Sequence, residues 1–291
     1  MGDDGRVTTI QFAKGHGTHN DFVLVPDEDG RLDLTAEQIA YLCDRRGGIG
    51  GDGLIRIVRS AVSGEPAVAD GPEWFMDYRN ADGSAAEMCG NGTRVFAKYL
   101  VDHGLVDGPD FDIATRAGVK HLSVVADGYR TDLGPWRLSR IEEAEERGMD
   151  SVVQVVGSAE PLPALSVDLG NPHTVIALPP SVSLADLDLL QPPKVDPEPA
   201  HGTNVEFVRA HAPGHISMRV HERGVGETQS CGTGAAAAAI ATWWWGGQPA
   251  DQLSWNVDVP GGRLGVHIAG DRVALSGPAQ IVATGEVDLP E

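Results

Sequence analysis

The chain has 291 residues, of which 41% are hydrophobic and 22% charged, a composition typical of a soluble globular protein of one large or two ordinary domains. The net charge of -20 argues against nucleic acid or an anionic membrane surface as a partner, because both need clustered lysine and arginine. No apolar run reaches membrane-spanning length, and the N-terminus does not resemble a signal peptide. The 3 cysteines, an odd number, favour free thiols in a reducing cytoplasm over a disulfide framework.

The start of the chain predicts two short strands and a helix. We expect strands at Ile10–Phe12 and Phe22–Val25, with a polar, glycine-containing loop over Lys14–Phe22. The spacing of apolar residues predicts a helix over Thr35–Cys43, with Thr35 as its N-cap. Cys43 has no glycine turn after it, and we interpret it as a core residue of that helix.

Residues 48–53, Gly-Ile-Gly-Gly-Asp-Gly, match the dinucleotide-binding fingerprint in form. That fingerprint requires a strand before it and a helix after it. Here a predicted helix precedes the glycines and a β-rich run, Leu54–Val58, follows them. We therefore reject a dinucleotide site at this position.

Two matched cysteine motifs stand out from the rest of the chain. Met88-Cys89-Gly90-Asn91-Gly92 precedes Thr93–Ala97, and Ser230-Cys231-Gly232-Thr233-Gly234 precedes the alanines 235–239. In both, a Cys-Gly-x-Gly turn opens an apolar run, which predicts a helix N-terminus. Such a terminus can bind an anion such as a carboxylate, and we expect its field to favour a thiolate at Cys231. One copy alone would be typical of a buried, inert cysteine, whereas two matched copies indicate function.

The other predicted elements are mostly strands. They are strands near Asp110–Ala114, His121–Ala126, Gly128–Leu133, Leu165–Leu169, Thr203–Val208 and Ile216–Val220, a solvated helix over Ser139–Asp150 and a polar turn at Gly170–His173. Three tryptophans, 243–245, end the alanine helix. We interpret them as packing or subunit-contact residues rather than a ligand platform.

This order of elements predicts an α/β (α+β) fold of two related halves. Each half has β-structure wrapped around one cysteine helix, with the active site between the halves. We expect residues 1–133 to form the half that carries Cys89, joined by residues 277–291 from the end of the chain. Residues 134–276 then form the half that carries Cys231.

A pair of cysteines at helix N-termini leaves several kinds of chemistry open. A thiolate there can act as a nucleophile, a metal ligand, a redox thiol or a base. A zinc site is disfavoured because neither cysteine has a second cysteine or paired histidines at ligand spacing, and a redox pair usually lies closer in sequence. A further possibility is inversion of a carbon that carries an acidic proton, with one ionised and one protonated thiol facing each other. Helix N-termini would then stabilise the substrate carboxylate as the proton leaves.

Several stretches together resemble the diaminopimelate epimerase family. They are Gly17–Phe22, Asn80–Ser84, Met88–Gly92, Gly170–His173, Asn204–Glu206, His221–Thr228 and Ser230–Gly234, in family order. Racemases of proline and hydroxyproline are similar, but their first motif resembles Met-Cys-Gly-His, where this chain has Asn91. Isomerase-like relatives of phenazine biosynthesis replace the first cysteine with an acidic residue, which this chain does not.

The resemblance implies an enzyme that interconverts LL- and meso-2,6-diaminopimelate in lysine and peptidoglycan synthesis, without pyridoxal or a metal, and commonly as a homodimer. It implies Cys89 and Cys231 as the acid–base pair, with His173 and Glu222 supporting the thiols and the reacting ammonium. The implied substrate-binding residues are Asn20, Asn80, Gly90, Asn91, Asn171, Asn204, Glu222, Arg223, Gly232 and Thr233. Many family members have glutamine where this chain has Gly53, so that side-chain contact is absent here. The alternative is a binding protein on the same scaffold, against which the intact cysteine pair argues.

Overall fold

A computed structural model describes residues 8–155 and 160–290, and the chain divides into two units. The first unit is Met1–Thr131 with Pro278–Glu291, and the second is Asp132–Gly277. In chain order the strands are β1 Thr9–Gly17, β2 Asn20–Pro26, β3 Gly53–Arg59, β4 Trp74–Asn80, β5 Asp110–Thr115, β6 Gly118–Val125, β7 Gly128–Pro135, β8 Arg137–Leu138, β9 Ser151–Gln154, β10 Leu162–Asp168, β11 Pro172–Ala177, β12 Lys194–Asp196, β13 Asn204–Ala212, β14 His215–Glu222, β15 Gly226–Thr228, β16 Ser254–Val259, β17 Gly262–Ala269, β18 Arg272–Gly277 and β19 Gln280–Asp288. The α-helices are α1 Ala36–Cys43, α2 Gly90–Asp102, α3 Ile141–Arg147 and α4 Gly232–Trp245. Short 3-10 helices lie at Ser60–Val62, Pro66–Val68 and Leu184–Asp186.

The strands of the first unit form a series of antiparallel and parallel pairs. The pairs β1–β2 and β3–β4 are antiparallel, while β2–β3 and β4–β5 are parallel. The series ends with the antiparallel pairs β5–β6 and β6–β7. The last strand of the chain, β19, pairs antiparallel with β1, so the C-terminal segment belongs to this unit.

The second unit repeats the same series. The pairs β10–β11 and β13–β14 are antiparallel, β11–β13 and β14–β16 are parallel, and β16–β17 and β17–β18 are antiparallel. The cysteine helix takes the same place in each series, since α2 follows the fourth strand and α4 precedes the fifth. The internal repeat predicted from the two cysteine motifs is therefore confirmed by the topology.

Both cysteine helices lie in the core of their own unit. Ala235–Ala241 of α4 are fully buried, which is typical of a helix that is apolar all round, and the small alanine side chains let the surrounding strands approach closely. In α2, Val95, Phe96 and Leu100 pack into one cluster with residues of β2, β3 and β4. Because strands enclose each helix, the position of its first turn is set by the whole unit.

Near the N-terminus the structure confirms one expectation and corrects another. Thr35 caps α1 through a 3.2 Å hydrogen bond from the Gln38 N–H, and Cys43 is buried. The segment Lys14–Phe22, however, is not a loop, because β1 and β2 run through it and only two residues form the turn. A Cβ atom at position 15 would lie 2.8 Å from Val95 of α2. The glycine there serves close helix packing and not a bend, which is why the loop prediction was wrong.

Two further expectations hold. The glycine run 48–53 connects α1 to β3, the reverse of the order that a dinucleotide site needs. The helix α3 lies within the predicted surface segment and exposes Ile141. Of the helices that the structure describes, none is both long and apolar enough to cross a membrane.

Candidate active site

Cys89 caps the helix that follows it. Its backbone is extended (φ -135°, ψ 122°), and α2 begins at the next residue. The Cys89 Sγ accepts a hydrogen bond from the Gly92 backbone N–H at 3.5 Å, the place that a side-chain oxygen takes in most N-caps. The sulfur therefore lies in the positive field of the helix N-terminus.

Two asparagines adjoin the Cys89 sulfur with defined amide directions. Asn20 Oδ1 accepts from the Cys89 thiol at 3.5 Å and from Asn91 Nδ2 at 3.1 Å. Asn20 Nδ2 donates to the Asp52 carboxylate at 2.7 Å. Because a carboxylate can only accept, this bond fixes the amide, and Asn20 presents its oxygen to Cys89.

The first unit also contains a buried cation that the sequence analysis missed. Arg94, within α2, is 0% exposed and donates to Asn91 Oδ1 at 2.9 Å, to Gly90 O at 3.2 Å and to Thr18 Oγ1 at 3.3 Å. Burial lowers the pKa of Arg94 to about 10. All of these acceptors are neutral, so a positive charge remains close to the start of α2. An arginine inside an otherwise apolar helical run was the available signal.

Cys231 occupies the equivalent position in the second unit. Its backbone is again extended (φ -114°, ψ 116°), and it caps α4. The Cys231 Sγ accepts from the Gly234 N–H at 3.4 Å and lies 3.7 Å from the Thr233 hydroxyl. The two motifs that look alike in sequence thus form the same N-cap.

The structure contradicts the expectation of a favoured thiolate at Cys231. Burial raises the pKa of Cys231 well above its ordinary value, and the carboxylates of Glu222 and Glu206 raise it further. The Gly234 N–H and the Thr233 hydroxyl act in the opposite direction but do not outweigh these effects. The helix terminus was visible in the sequence, whereas the desolvation and the two carboxylates come from tertiary packing.

Glu222 lies at the end of β14, beside Cys231. It accepts a hydrogen bond from the Thr228 hydroxyl, and its carboxylate is close enough to Cys231 to raise the pKa of that thiol. Burial raises the pKa of Glu222 above its ordinary value. A carboxyl group with a raised pKa next to a thiol is suited to hold a proton beside it.

His173 and Glu206 form a fully buried pair on the neighbouring parallel strands β11 and β13. Both side chains are 0% exposed, and His173 Nδ1 lies 2.7 Å from Glu206 Oε1. A Cβ atom at Gly234 would lie 2.7 Å from that same carboxylate oxygen. Glu206 is not among the site residues predicted from the sequence, although a carboxylate between Val205 and Phe207 in a buried strand was a signal.

Two asparagines, Asn171 and Asn204, connect further predicted site residues of the second unit through their side-chain amides. Asn171 bridges Thr233 Oγ1 and His173 Nε2, at 3.2 Å from each. Asn204 Oδ1 accepts from the Arg223 backbone N–H at 3.0 Å. The Arg223 side chain is exposed and donates to a backbone carbonyl, that of residue 201, at 2.8 Å.

The last candidate of the first unit, Asn80, lies at the exposed end of β4. Its Nδ2 donates to the Ser84 hydroxyl at 3.0 Å. Across the β3–β4 pair it faces Gly53. A Cβ atom at Gly53 would lie 2.7 Å from the Tyr78 ring, so the tyrosine occupies the space of a side chain at that position.

Each unit thus assembles its own share of the predicted residues. In the first unit, Asn20 is hydrogen-bonded to both Cys89 and Asn91, and Asn80 stands apart from these contacts. In the second, hydrogen bonds connect Asn171, His173, Thr233 and Cys231, while Glu222 lies beside Cys231 and Asn204 is bonded to Arg223. Over residues 8–155 and 160–290, no group of three or more His, Cys, Asp or Glu side chains is placed to hold a metal ion.

The amino-acid sequence was compared with those of known protein families and proteins. The family model described as "Diaminopimelate epimerase" matches residues 12–138 and 165–289. The chain is 47% identical over 287 residues to the diaminopimelate epimerase of Thermobifida fusca, covering 96% of this chain and 98% of that one. It is 46% identical over 288 residues to that of Corynebacterium glutamicum, covering 97% and 99%.

Solved structures share the fold at much lower identity. A Bacillus anthracis phenazine biosynthesis protein of the PhzF family superposes with a TM-score of 0.64 at 16% identity, covering 96% of this chain and 99% of that chain. A hydroxyproline epimerase from Agrobacterium vitis superposes with a TM-score of 0.63 at 14% identity, covering 97% and 93%.

Proposed function

This chain belongs to the diaminopimelate epimerase family, and we propose that it interconverts LL- and meso-2,6-diaminopimelate with Cys89 and Cys231 as the acid–base pair. The observation that carries the proposal is the matched pair of N-capping cysteines, one at the start of the central helix of each unit. A structural cysteine has no need to repeat with the same cap, the same glycines and the same place in the strand series.

Epimerisation breaks the C–H bond of the α-carbon on one face and forms a C–H bond on the other. One cysteine, as the thiolate, takes the α-proton and becomes a thiol. The other gives its thiol proton to the opposite face and becomes a thiolate, so protons and charge balance. The reverse reaction exchanges the two roles, which suits two groups of the same chemical kind.

Negative charge develops on the substrate α-carboxylate as the proton leaves. The backbone N–H groups of the first helical turns have no intrahelical acceptor and are available to such a charge. We assign this role to the N–H groups of Gly90 and Asn91 in α2 and of Gly232 and Thr233 in α4. We assign Glu222, whose carboxylate lies close to the Cys231 sulfur, to the support of that thiol and of the reacting ammonium group.

The remaining candidates would bind the polar groups of the substrate. Arg223 is exposed, and its planar guanidinium can form two parallel bonds to a carboxylate. Asn20 presents an oxygen beside Cys89 and would accept from an ammonium group. We assign Asn80, Asn171 and Asn204 to the same set, and His173 as a support of the thiols.

The test is exchange of the α-proton of diaminopimelate with deuterated water, followed by mass spectrometry and by separation of the isomers. The parent protein should exchange and epimerise, while Cys89→Ala and Cys231→Ala should each lose at least about 100-fold, the lower end of what a positioned acid or base supplies. Cys43→Ala is the matched control, because Cys43 lies in α1, outside the proposed site, and should turn over at the parent rate. Near-parent rates in either active-site variant would end the two-base proposal.

Substrate choice provides a second test of the same assignment. Lysine lacks the second carboxylate, so polar groups built to bind it would be left unpaired. We expect kcat/KM for lysine to be at least about 100-fold below that for diaminopimelate. Comparable turnover of both would indicate a broad amino-acid racemase instead.

The family resemblance also leads us to propose a homodimer that works in the cytoplasm. Light scattering should then give a mass near twice the 30.7 kDa of the chain. Cell fractionation tests the location. A mass of one chain, or recovery with the envelope, would contradict these two proposals without affecting the assigned chemistry.

A further inference from the structure

The buried pair of His173 and Glu206 has a feature that the reaction above leaves unexplained. Glu206 Oε1 is bonded to His173, but Glu206 Oε2 is buried and no described residue hydrogen-bonds to it. A buried carboxylate is costly unless its charge is compensated. The neighbour able to compensate it directly is the imidazole, once that ring is protonated.

From His173 a continuous chain of hydrogen bonds leads to the Cys231 sulfur. His173 Nε2 lies 3.2 Å from Asn171 Oδ1. Asn171 Nδ2 lies 3.2 Å from Thr233 Oγ1, and that hydroxyl lies 3.7 Å from Cys231 Sγ. These four residues and Glu206 all belong to the second unit.

The two inner members of this chain can each be turned in either direction. An asparagine amide has an oxygen on one side and an N–H on the other, and a hydroxyl both donates and accepts. In one arrangement the Cys231 thiol donates to Thr233, and Thr233 donates to Asn171. Asn171 then donates from Nδ2 to a neutral His173, whose proton is on Nδ1.

In the other arrangement every bond of the chain is reversed. A His173 imidazolium donates from Nε2 to Asn171 Oδ1, and Asn171 Nδ2 donates to Thr233. The Thr233 hydroxyl then donates to a Cys231 thiolate. In both arrangements His173 Nδ1–H donates to Glu206.

We propose that Glu206 is a positioning residue that anchors this chain of hydrogen bonds, so that the proton lost by Cys231 is held on His173 while the thiolate exists. The inference rests on the proposed role of Cys231 as an acid–base group. The S–H bond of Cys231 breaks and an N–H bond forms at His173 Nε2. Sulfur becomes negative and the ring positive, so the number of protons and the total charge stay the same.

Glu206 acts on Cys231 in two opposed ways, which makes the proposal testable. As one of two carboxylates that face the sulfur, the other being Glu222, it repels a thiolate. Through the chain it stabilises the imidazolium, and with it the thiolate. If the repulsion is the larger effect, removal of the Glu206 charge makes Cys231 more reactive. If the stabilisation of the imidazolium is larger, the same removal makes Cys231 less reactive.

The experiment measures alkylation of Cys231 by iodoacetamide at neutral pH, without substrate, in the Cys43→Ala/Cys89→Ala protein. Glu206→Gln keeps the shape and an acceptor for His173 but removes the charge. We expect alkylation to slow about tenfold, the factor that one hydrogen bond to a charged group supplies. When His173 is replaced by Gln, the same Glu206→Gln change should no longer slow the reaction. Faster alkylation after Glu206→Gln with His173 present, or equal slowing without it, would overturn the proposal.

A second variant tests the chain without touching the buried pair. Thr233→Val removes the hydroxyl and should slow alkylation as Glu206→Gln does, while Thr233→Ser should retain the parent rate. The double variant Glu206→Gln/Thr233→Val should be no slower than either single variant. An unchanged rate in Thr233→Val would show that the chain does not carry the effect.

The second unit offers a matched control in another histidine–carboxylate pair. His215 on β14 has its Nε2 atom 2.6 Å from Asp258 on β16. Neither residue is a member of the hydrogen-bond chain from His173 to Cys231. Asp258→Asn should leave the alkylation of Cys231 unchanged, and a slowing equal to that of Glu206→Gln would overturn the proposal. Because the alkylation experiment uses the Cys43→Ala/Cys89→Ala protein without substrate, its result does not depend on the epimerase assay. If the parent protein failed to exchange the diaminopimelate α-proton, the proposed function would be refuted, but the proposed role of Glu206 would not.

Discussion

The two cysteine motifs contain equivalent glycines, and their replacement by alanine should have unequal effects. A Cβ atom at Gly234 would lie 2.7 Å from Glu206 Oε1 and 3.2 Å from the Cys231 sulfur. The carboxylate is buried and bonded to His173, so it cannot give way without breaking that bond. A Cβ atom at Gly92 would instead lie 2.8 Å from Cε of Met76, the mobile end of a flexible side chain.

Overpacking at Gly234 should therefore cost about 1–3 kcal/mol of unfolding free energy. At Gly92, movement of the methionine end is offset by the better helix propensity of alanine, worth about 0.5–1 kcal/mol. We expect Gly92→Ala to remain within about 1 kcal/mol of the parent and Gly234→Ala to be the less stable of the two. Urea unfolding followed by circular dichroism measures both.

Gly234→Ala should also displace Glu206 and thereby slow epimerisation, whereas Gly92→Ala should disturb the site less. Equal stability of the two variants would refute this reasoning. So would a greater loss in Gly92→Ala, because the contacts at the two positions would then not decide the cost.

Three further changes test the packing and charge of the first unit. Thr35→Ala removes the cap of α1 and should lower the unfolding free energy by about 0.5–2 kcal/mol, and an unchanged urea midpoint would contradict the cap. Arg94→Met leaves buried acceptors unsatisfied and should cost at least about 2 kcal/mol, with Arg94→Lys losing less, in the same assay. Burial alone would raise the pKa of Asp21, but hydrogen bonds from Arg45 and Lys14 outweigh it and hold that pKa well below its ordinary value. A lowered carboxyl pKa stabilises the fold above the unfolded value of about 3.9 and loses this effect as pH falls further, so the cost of Asp21→Asn in urea should shrink below about pH 4. A cost independent of pH would contradict the ion pairs.

The two cysteines have the same local geometry but opposite electrostatic surroundings. Cys89 shares the start of its helix with the buried Arg94 cation. Cys231 faces the carboxylates of Glu222 and Glu206. A reaction that uses both thiols in both directions needs each to exist as thiol and as thiolate, and this asymmetry places the charge compensation on different residues in the two units.

Part of the fold could be read from short patterns because it depends on neighbouring residues. The N-cap at Thr35 and the helix starts at Cys89 and Cys231 follow from the backbone N–H groups of the next three residues, which any fold must satisfy. Two copies of one such start, with similar strands around them, were enough to predict the internal repeat. The hairpin of β1 and β2 was misjudged, because a glycine required for close packing against Val95 looks the same in sequence as a glycine required for a turn.

The sequence by itself therefore determined the family, through motifs that match it from residue 12 onwards, and it predicted that two cysteines, each at a helix start, carry the chemistry. It did not determine their ionisation. Burial raises the pKa of Cys231, and the carboxylates of Glu222 and Glu206 raise it further, although the local helix field favours the thiolate. Desolvation and Coulomb interactions depend on which residues the fold brings within a few ångströms. Only the tertiary structure decides that, because the strands that enclose each helix come from distant parts of the chain.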